Sequence, residues 1–444
     1  MKMLHRGYFV ASRGWSESIG SMVRETLELI RTLSYARFSE SRMEAVRKKK
    51  LRAVIRNAYS EVPYYRSLLQ SAGVRPDDIR SVEDLRHIPI SSKEDLRSAG
   101  CDRLLSRWVK QASCRKRTTS GSSGRRFTVL ISKEEECVLS ALHAASLMSV
   151  GYSPRDRLAI FGPQWALPNR LYTRLGLYQR EVIPLSLPMD ARVQRLSAIQ
   201  PTVLWTWPSV LRSLIQMLDR PLREIANPRI LVSGAEVLDE VLKKRIKKEV
   251  DAELFNFYGA IEFGRLAWEC PSHEGLHVNA GHFIIECLDG DRPVEPGKFG
   301  SVVITSLYAY AMPFIRYRLG DQCALLEKKC SCGNLLPLMD HPRGRSDDMV
   351  RLPGGRVLSP MRFHQILSEC EAVDQWRVIQ KQLDSFVLEL VLAKDPGSDG
   401  LEHIRSQFLE YFDEPVRLEV AVREYLEEDS AKFRTFISEV PHPE

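Results

Sequence analysis

Between Arg117 and Phe127 the chain reads RTTSGSSGRRF, and the seven residues from Thr118 to Gly124 are all threonine, serine or glycine. Such a stretch presents backbone N–H groups with little side-chain obstruction, and its hydroxyls add donors. That is the chemistry that cradles phosphate oxygens. No Gly-Lys-Ser or Gly-Lys-Thr closes it, and its glycine spacing does not fit a dinucleotide fingerprint. By itself it reads equally well as a surface loop. A second set lies in WECPSHEGLH and KKCSCGNLLP, where Cys270, His273, Cys330 and Cys332 bring three thiols and one imidazole. That set suits tetrahedral zinc, with His277 as an alternative to His273. Nothing in it keeps a coordination position open, so the metal reads as structural.

The elements that must position these residues follow from hydrophobic periodicity. The segment 18–60 has helical spacing and runs up to Pro63, which stops it. FTVLIS, after the Ser/Gly-rich stretch, reads as a strand. From Arg157 onward RLAIFG, EVIPLSL, TVLWTW, RILVSGAE and ELFNFYGA are short apolar runs, and ARVQRLSAI, SVLRSLIQML and VLDEVLKKRIKKEV between them carry helical spacing. Strands alternating with helices in this way predict βαβ units and mostly parallel, buried strands. Ligands of such sheets bind beyond the carboxyl ends of the strands. After Asp348, QWRVIQ, FVLELVLA and VRLEVAV alternate apolar and polar residues around one helical stretch, GLEHIRSQFLEYF. The expectation is an α/β protein: a large N-terminal domain, residues 1–344, of mostly parallel sheets flanked by helices, and a small mobile α+β C-terminal domain, residues 345–444. The turn-prone HPRGRSDD joins them.

Composition narrows the function classes. A chain of 444 residues exceeds a single ordinary core. Its net charge of +7 comes from basic residues interleaved with acidic ones, which reads as solvated helix faces rather than a nucleic-acid surface. RKKKLRAVIR (Arg47–Arg56) is read the same way. No apolar run approaches the roughly 20 residues of a membrane span. Nine dispersed cysteines, an odd number, without a secretory signal point to a reducing, cytoplasmic setting.

Further motifs follow in order. TSGSSG resembles the phosphate-binding signature TSGTTGxP of the adenylate-forming superfamily. NFYGAIEFG (Asn256–Gly264) resembles its YGxTE element, FIRYRLGDQ (Phe314–Gln322) its YRTGD element, and GRSDDMV (Gly344–Val350) its GRxDDxI hinge. KFRTFISEV, near the end, resembles the segment with its C-terminal lysine. Within that superfamily, EVPYYRSLLQSAGV, SVEDLRHIPISSKEDLR, IRYRLGD and GRSDDMV resemble the phenylacetate–coenzyme A ligase branch and its capsular-polysaccharide-biosynthesis relatives. Two departures stand out: Arg125-Arg126 follow the last glycine where the superfamily often has Lys-Pro, and Ala431 precedes Lys432 where glycine is usual.

The resemblance implies ATP-dependent activation of a carboxylic acid as an acyl-adenylate, then transfer to coenzyme A. Other acceptors remain open: an amine, a hydroxyl or a carrier-protein thiol. A degenerate, zinc-stabilised scaffold is the reading from another class. On the enzyme reading Thr119, Ser120, Gly121, Ser122, Ser123 and Gly124 hold the β- and γ-phosphates, and Glu262 holds magnesium. Tyr258, with Gly259, offers an aromatic face to adenine. Asp321 accepts from the ribose hydroxyls, and Arg345 contacts the nucleotide. Lys432 bridges carboxylate and α-phosphate, with Asp347 as the hinge that carries it in and out. The expected small molecules are ATP, Mg2+, coenzyme A and an acid, with structural Zn2+ and a homodimer left open.

Overall fold

The computed structural model describes residues 19–118, 127–162, 173, 175–344, 349–358, 360–368, 370, 372–392, 394–426 and 435–440. The segment 119–124, Arg345, Asp347 and Lys432 lie outside the described residues.

The N-terminal helical run consists of helices Ile19–Tyr35 and Glu40–Glu61. Pro63 opens a further helix, Pro63–Ser71, at its first position. There its missing N–H costs nothing and its fixed φ already suits a helix, so it stops one helix and starts the next. In Glu40–Glu61 the buried residues Leu51, Val54, Ile55 and Ala58 recur at helical spacing. They pack with Ile284, Leu307 and Ile315 from far along the chain, each large side chain contributing roughly 2 kcal/mol of apolar burial. The basic stretch on this helix is not wholly solvated. Lys48 and Lys49 are exposed, but Lys50 reaches inward and donates to the carbonyl of Gly281 at 2.6 Å. Burial holds its ammonium down at about 8.

Strands β1 (Arg115–Thr118) and β2 (Thr128–Ile131) pair antiparallel with Thr118 opposite Thr128, so the Ser/Gly-rich stretch leaves and returns at one point. Helix Lys133–Ser149 follows directly. Ser132 caps it, and the buried Glu135 reaches back to the Ser132 N–H. Glu135 also accepts from the N–H groups of Tyr310 and Ala311, both at 2.7 Å, which ties the start of this helix to the segment leading into FIRYRLGDQ.

The expected parallel strands are β3 (Arg157–Gly162), β4 (Gln179–Pro184), β5 (Val203–Thr206), β6 (Ile230–Gly234) and β7 (Glu253–Ala260). They run parallel in the order β7-β6-β5-β3-β4. Helices Met189–Ile199, Pro208–Met217 and Glu240–Glu249 cover one face, where Phe161 and Leu204 pack on Leu196, Leu211 and Leu242. Helix Lys133–Ser149 covers the other through Leu139 and Leu142.

At β7 the direction reverses. Strand β8 (Gly264–Glu269) returns antiparallel on β7, and β9 (Leu276–Val278) on β8. A second, antiparallel sheet is built from β10 (Phe283–Asp289), β11 (Arg292–Pro293), β12 (Gly300–Ser306) and β13 (Tyr317–Cys323). Two short strands, β14 (Leu325–Leu326) and β15 (Leu338–Met339), then cross back to complete a nine-stranded sheet at the β9 edge.

From Val350 onward the chain has its own core. A small hairpin, β16 (Val350–Arg351) and β17 (Val357–Leu358), precedes β18 (Val373–Gln382), β19 (Ser385–Leu392), β20 (Arg417–Val422) and β21 (Phe436–Ser438). The last four form a mixed sheet in the order β20-β19-β18-β21. Helix Gly397–Phe412 packs on it, with the Phe386 and Phe412 rings stacked at 4.4 Å and Phe363 on Phe408 at 4.9 Å. No helix among the described residues is long and apolar enough to cross a membrane.

The strand that carries FIRYRLGDQ is set by one buried ion pair. Arg316, at the left-handed φ of +43°, holds both carboxylate oxygens of Glu286 at 3.1 and 3.3 Å and donates to the Ile88 carbonyl at 2.8 Å. Ser91 pairs with Tyr317 beside it, so the HIPISS segment lies along β13. Replacing Arg316 with Met leaves the Glu286 carboxylate buried and alone. We expect that variant to lose about 3 kcal/mol, read as a lower urea midpoint. Glu286→Gln in the same background should recover part of it.

Candidate functional site

The YGAIEFG stretch forms the β7–β8 turn. A Cβ at Gly259 would stand 2.2 Å from the Gly264 carbonyl oxygen, and Gly264 itself adopts φ +66° with Leu139 packed against it. Both glycines are demanded by this close approach. The turn sets Glu262 at the carboxyl end of β7, where chemistry is sought in a parallel sheet.

Two hydrogen bonds cross from one sheet to the other here. Tyr258 on β7 donates from its hydroxyl to Oδ2 of Asp321 on β13 at 2.7 Å. Tyr317 on β13 donates to Oε1 of Glu262 in the turn at 3.3 Å. Burial and then the Asp321 carboxylate push the Tyr258 phenol well above its ordinary value, so it remains a donor. The rings of Phe263, Phe314 and Tyr317 interlock behind the pair, with centroids 5.1 to 5.9 Å apart. Tyr258, Gly259, Glu262 and Asp321, four residues singled out in two separate motifs, are thereby brought to one place. One oxygen of Asp321 is engaged by Tyr258 before any ribose arrives; a carboxylate oxygen accepts more than one bond.

The sulfur-rich set also converges, with one substitution. Cys270, His277, Cys330 and Cys332 place their ligand atoms within 4.8 Å of one another. Cys270 and Cys330 sulfurs are 3.5 Å apart, and Cys332 Sγ lies 3.3 Å from His277 Nε2. Thiolates on a tetrahedral metal with bonds of about 2.3 Å stand roughly 3.8 Å apart, so the four side chains need little adjustment to share one ion. Burial pushes the Cys270 thiol up to about 12 and raises that of Cys332. A bound cation is what would ionise them.

His273 is not part of this group. It sits at φ +51° with Nδ1 3.0 Å from Glu269 Oε1 and Nε2 3.8 Å from Glu253, its ring stacked on Phe255. The reason is register. His277 lies within β9, opposite Leu338 of β15, and is fully buried, whereas His273 belongs to the turn that leads there. The structure brings the alternative, His277, to the three thiols rather than His273.

From β15 the chain runs back along β13. Asp340 N–H donates to the Ala324 carbonyl, Arg343 N–H to Gln322, and Gln322 N–H to Gly344. The cysteine cluster thus anchors one end of a path that passes Asp321 and leads to residue 345. On this path His341 lies 3.6 Å from Glu269 and 3.8 Å from Asp340, ion-pair rather than hydrogen-bonding distances. Burial pulls its imidazole down, but the two carboxylates outweigh that and hold it up at about 9.

Sequence reasoning passed over Tyr317, His341 and Arg265. Arg265 had a visible signal, a charge inside an otherwise apolar strand.

No protein-family model matches the chain. It is 29% identical over 358 residues to a phenylacetate–coenzyme A ligase of Thermus thermophilus, covering 77% of this chain and 79% of that one. It is also 29% identical over 341 residues to the Escherichia coli protein of that name, covering 74% and 77%. Among solved structures, 2-hydroxyisobutyryl-CoA ligase in the postadenylation state superposes with a TM-score of 0.77 at 19% identity, over 91% of both chains.

The His341 pair makes stability pH-dependent. Its folded-state value lies above the ordinary imidazole value near 6.5, so its contribution is complete below about pH 6.5 and lost as pH rises through about 9. We expect wild type to lose about 2 kcal/mol more than His341→Gln across that range, allowing for screening of a partly exposed ring. Denaturation midpoints of the two proteins at pH 6 and pH 9.5 check this.

In sequence the chain is similar to the phenylacetate–coenzyme A ligase branch of the adenylate-forming superfamily, and it has the fold of the acyl-coenzyme A ligases.

Proposed function

We propose that this protein activates a carboxylic acid with ATP and passes the acyl group to coenzyme A. In the first step a carboxylate oxygen bonds to the α-phosphorus and pyrophosphate leaves. In the second the coenzyme A thiolate attacks the acyl carbon and AMP leaves. The observation that carries the reading is the double crossing, Tyr258 to Asp321 and Tyr317 to Glu262, at the end of the parallel strands. It joins two motifs some sixty residues apart into one polar site with an aromatic wall.

In this reading the hydroxyls and N–H groups of 119–124 hold the phosphates, and the Tyr258 ring flanks adenine. Asp321 accepts from the ribose, and Arg345 adds charge beside it. Glu262 would supply the hard oxygen that a magnesium ion needs, and an ion held there would offset charge on the phosphates. Lys432 brings a compact cation to the junction of carboxylate and α-phosphate. Residues 345–444 form the small unit that carries it, turning about Asp347.

Pyrophosphate release with ATP and magnesium across aryl and aliphatic acids, with and without coenzyme A, is the direct test. Release with one acid class supports adenylation, and acyl-coenzyme A must then appear in step with AMP. Release that ignores coenzyme A points to an amine, hydroxyl or carrier-protein acceptor. Lys432→Ala is expected to lower release at least 100-fold with ATP affinity changed less than about threefold. Wild-type release in that variant rules out the lysine.

We further propose that Cys270, His277, Cys330 and Cys332 hold a structural zinc ion, with His277 in place of His273. Elemental analysis of the purified protein should find one zinc per chain in wild type and in His273→Ala, and markedly less in His277→Ala. Chelation should lower the melting temperature of the first two. Equal zinc loss in both histidine variants would contradict the assignment.

A further inference from the structure

Helix Lys133–Ser149 and the parallel sheet enclose a cluster of positive charge that the proposed chemistry does not use. Arg265 follows Glu262 by three residues and stands directly opposite Gly259 in the β7–β8 pairing. It is 8% exposed. Its guanidinium carbon lies 4.4 Å from the centroid of Phe257 and 5.0 Å from that of Trp205. Among the described residues no carboxylate pairs with it, and its Nε is buried without a hydrogen-bond partner. Arg180, on β4, has Nε and Nη2 in the same condition. His143, from the covering helix, stacks on Trp205 at 4.7 Å. Burial first, and then Arg265 and Arg180, depress its imidazole to about 3. The same burial lowers Arg265 to about 9, so at neutral pH its guanidinium is charged while the histidine is not.

Two aromatic faces offset only part of the cost of burying a guanidinium. A cation–π contact returns only a fraction of what taking the ion out of water costs. Among the described residues no acceptor meets the guanidinium donors of Arg265. At Gly234, on the end of β6, a Cβ would stand 2.7 Å from the Phe257 carbonyl oxygen, so the close approach of β7 demands glycine there, beside Arg265 Nη1. A planar, buried fork with open donors is built for a carboxylate.

We propose that the acid activated by this protein carries a second carboxylate, which Arg265 binds through its guanidinium beside His143. This rests on the adenylation reading above. The reacting carboxylate lies toward Glu262, and the second is held on the far side of Gly259. The substrates are therefore dicarboxylic acids, and an acid with an apolar tail would leave the guanidinium desolvated and unpaired. Sites built around a buried polar group reject analogues that lack its partner by large factors.

The test uses matched pairs on the full-length protein: succinate with butyrate, adipate with hexanoate, and 4-carboxyphenylacetate with 4-methylphenylacetate. Pyrophosphate release gives kcat/KM for each, and calorimetric titration gives binding without turnover. We expect at least one diacid to exceed its monoacid partner by about 100-fold. We also expect Arg265→Met to erase that preference while the monoacid rate is unchanged or rises, with Arg265→Lys intermediate. If diacids bind in an Arg265-dependent way but no acid releases pyrophosphate, the pocket assignment stands and the adenylation reading fails. If monoacids are turned over and diacids are not, adenylation stands and this inference fails. If diacids neither bind nor react, the inference also fails, and Arg265 is a structural cation between two rings. An Arg265→Met variant that merely unfolds is replaced by Arg265→Lys, which keeps the charge but not the bidentate fork, so diacid affinity should fall more than monoacid affinity.

Discussion

Two tyrosine hydroxyls hold the seam between the sheets. Tyr258 reaches from the large sheet to Asp321, and Tyr317 reaches back from the smaller sheet to Glu262. Each bond is buried or nearly so, where an unmade partner costs more than a made one gains. The two sheets therefore cannot slide past each other without leaving a carboxylate unpaired. Other features serve this seam: Gly259 and Gly264 permit the turn that presents Glu262, and the Arg316–Glu286 pair pins the first turn of β13 from behind. The buried Glu135 ties helix Lys133–Ser149 to the segment just before β13.

A second constraint acts from the sheet edge. Strands β9, β14 and β15 are two or three residues long, too short to hold register by ladder bonds alone. The cysteine and histidine cluster gathers the loops on both sides of that edge, with its sulfur and nitrogen atoms within 4.8 Å of one another. From there His341, Arg343 and Gln322 carry the chain alongside β13 toward residue 345. Among the described residues the apolar packing beside these cysteines is small, with Leu338 buried and Leu326 partly buried against them.

The charges inside the protein sort into two kinds. Arg316 is satisfied by a bidentate carboxylate and a carbonyl, and Glu135 by backbone donors; these position elements. Arg265 and Arg180 have no such partners among the described residues. Both lie on the face of the sheet covered by helix Lys133–Ser149, Arg265 next to the turn that carries Glu262 and Arg180 on β4, level with the start of β7. Burial without pairing is costly to folding and separates these two from the structural pairs.

Much of this was legible in the sequence because it is local. Alternation of short apolar runs with helical spacing located β3 to β7 and their crossover helices, since period 2 and period 3.6 are properties of consecutive residues. The Ser/Gly-rich stretch, Tyr258, Glu262, Asp321 and the paired cysteines were visible as residue types in ordered motifs. What depended on contacts between distant segments was not. Cys270-x-x-His273 suggested a neighbour in sequence, but the strand pairing of β9 with β15 turned His277 inward instead. Lys50 looked like one more solvated lysine until Gly281, from the far side of the chain, supplied its acceptor. That Tyr258 meets Asp321, and that Arg265 meets aromatic rings rather than an acid, was decided only when the two sheets and the covering helix packed. Register and packing are non-local, and a residue's partner across a fold is set by elements its own neighbours do not encode.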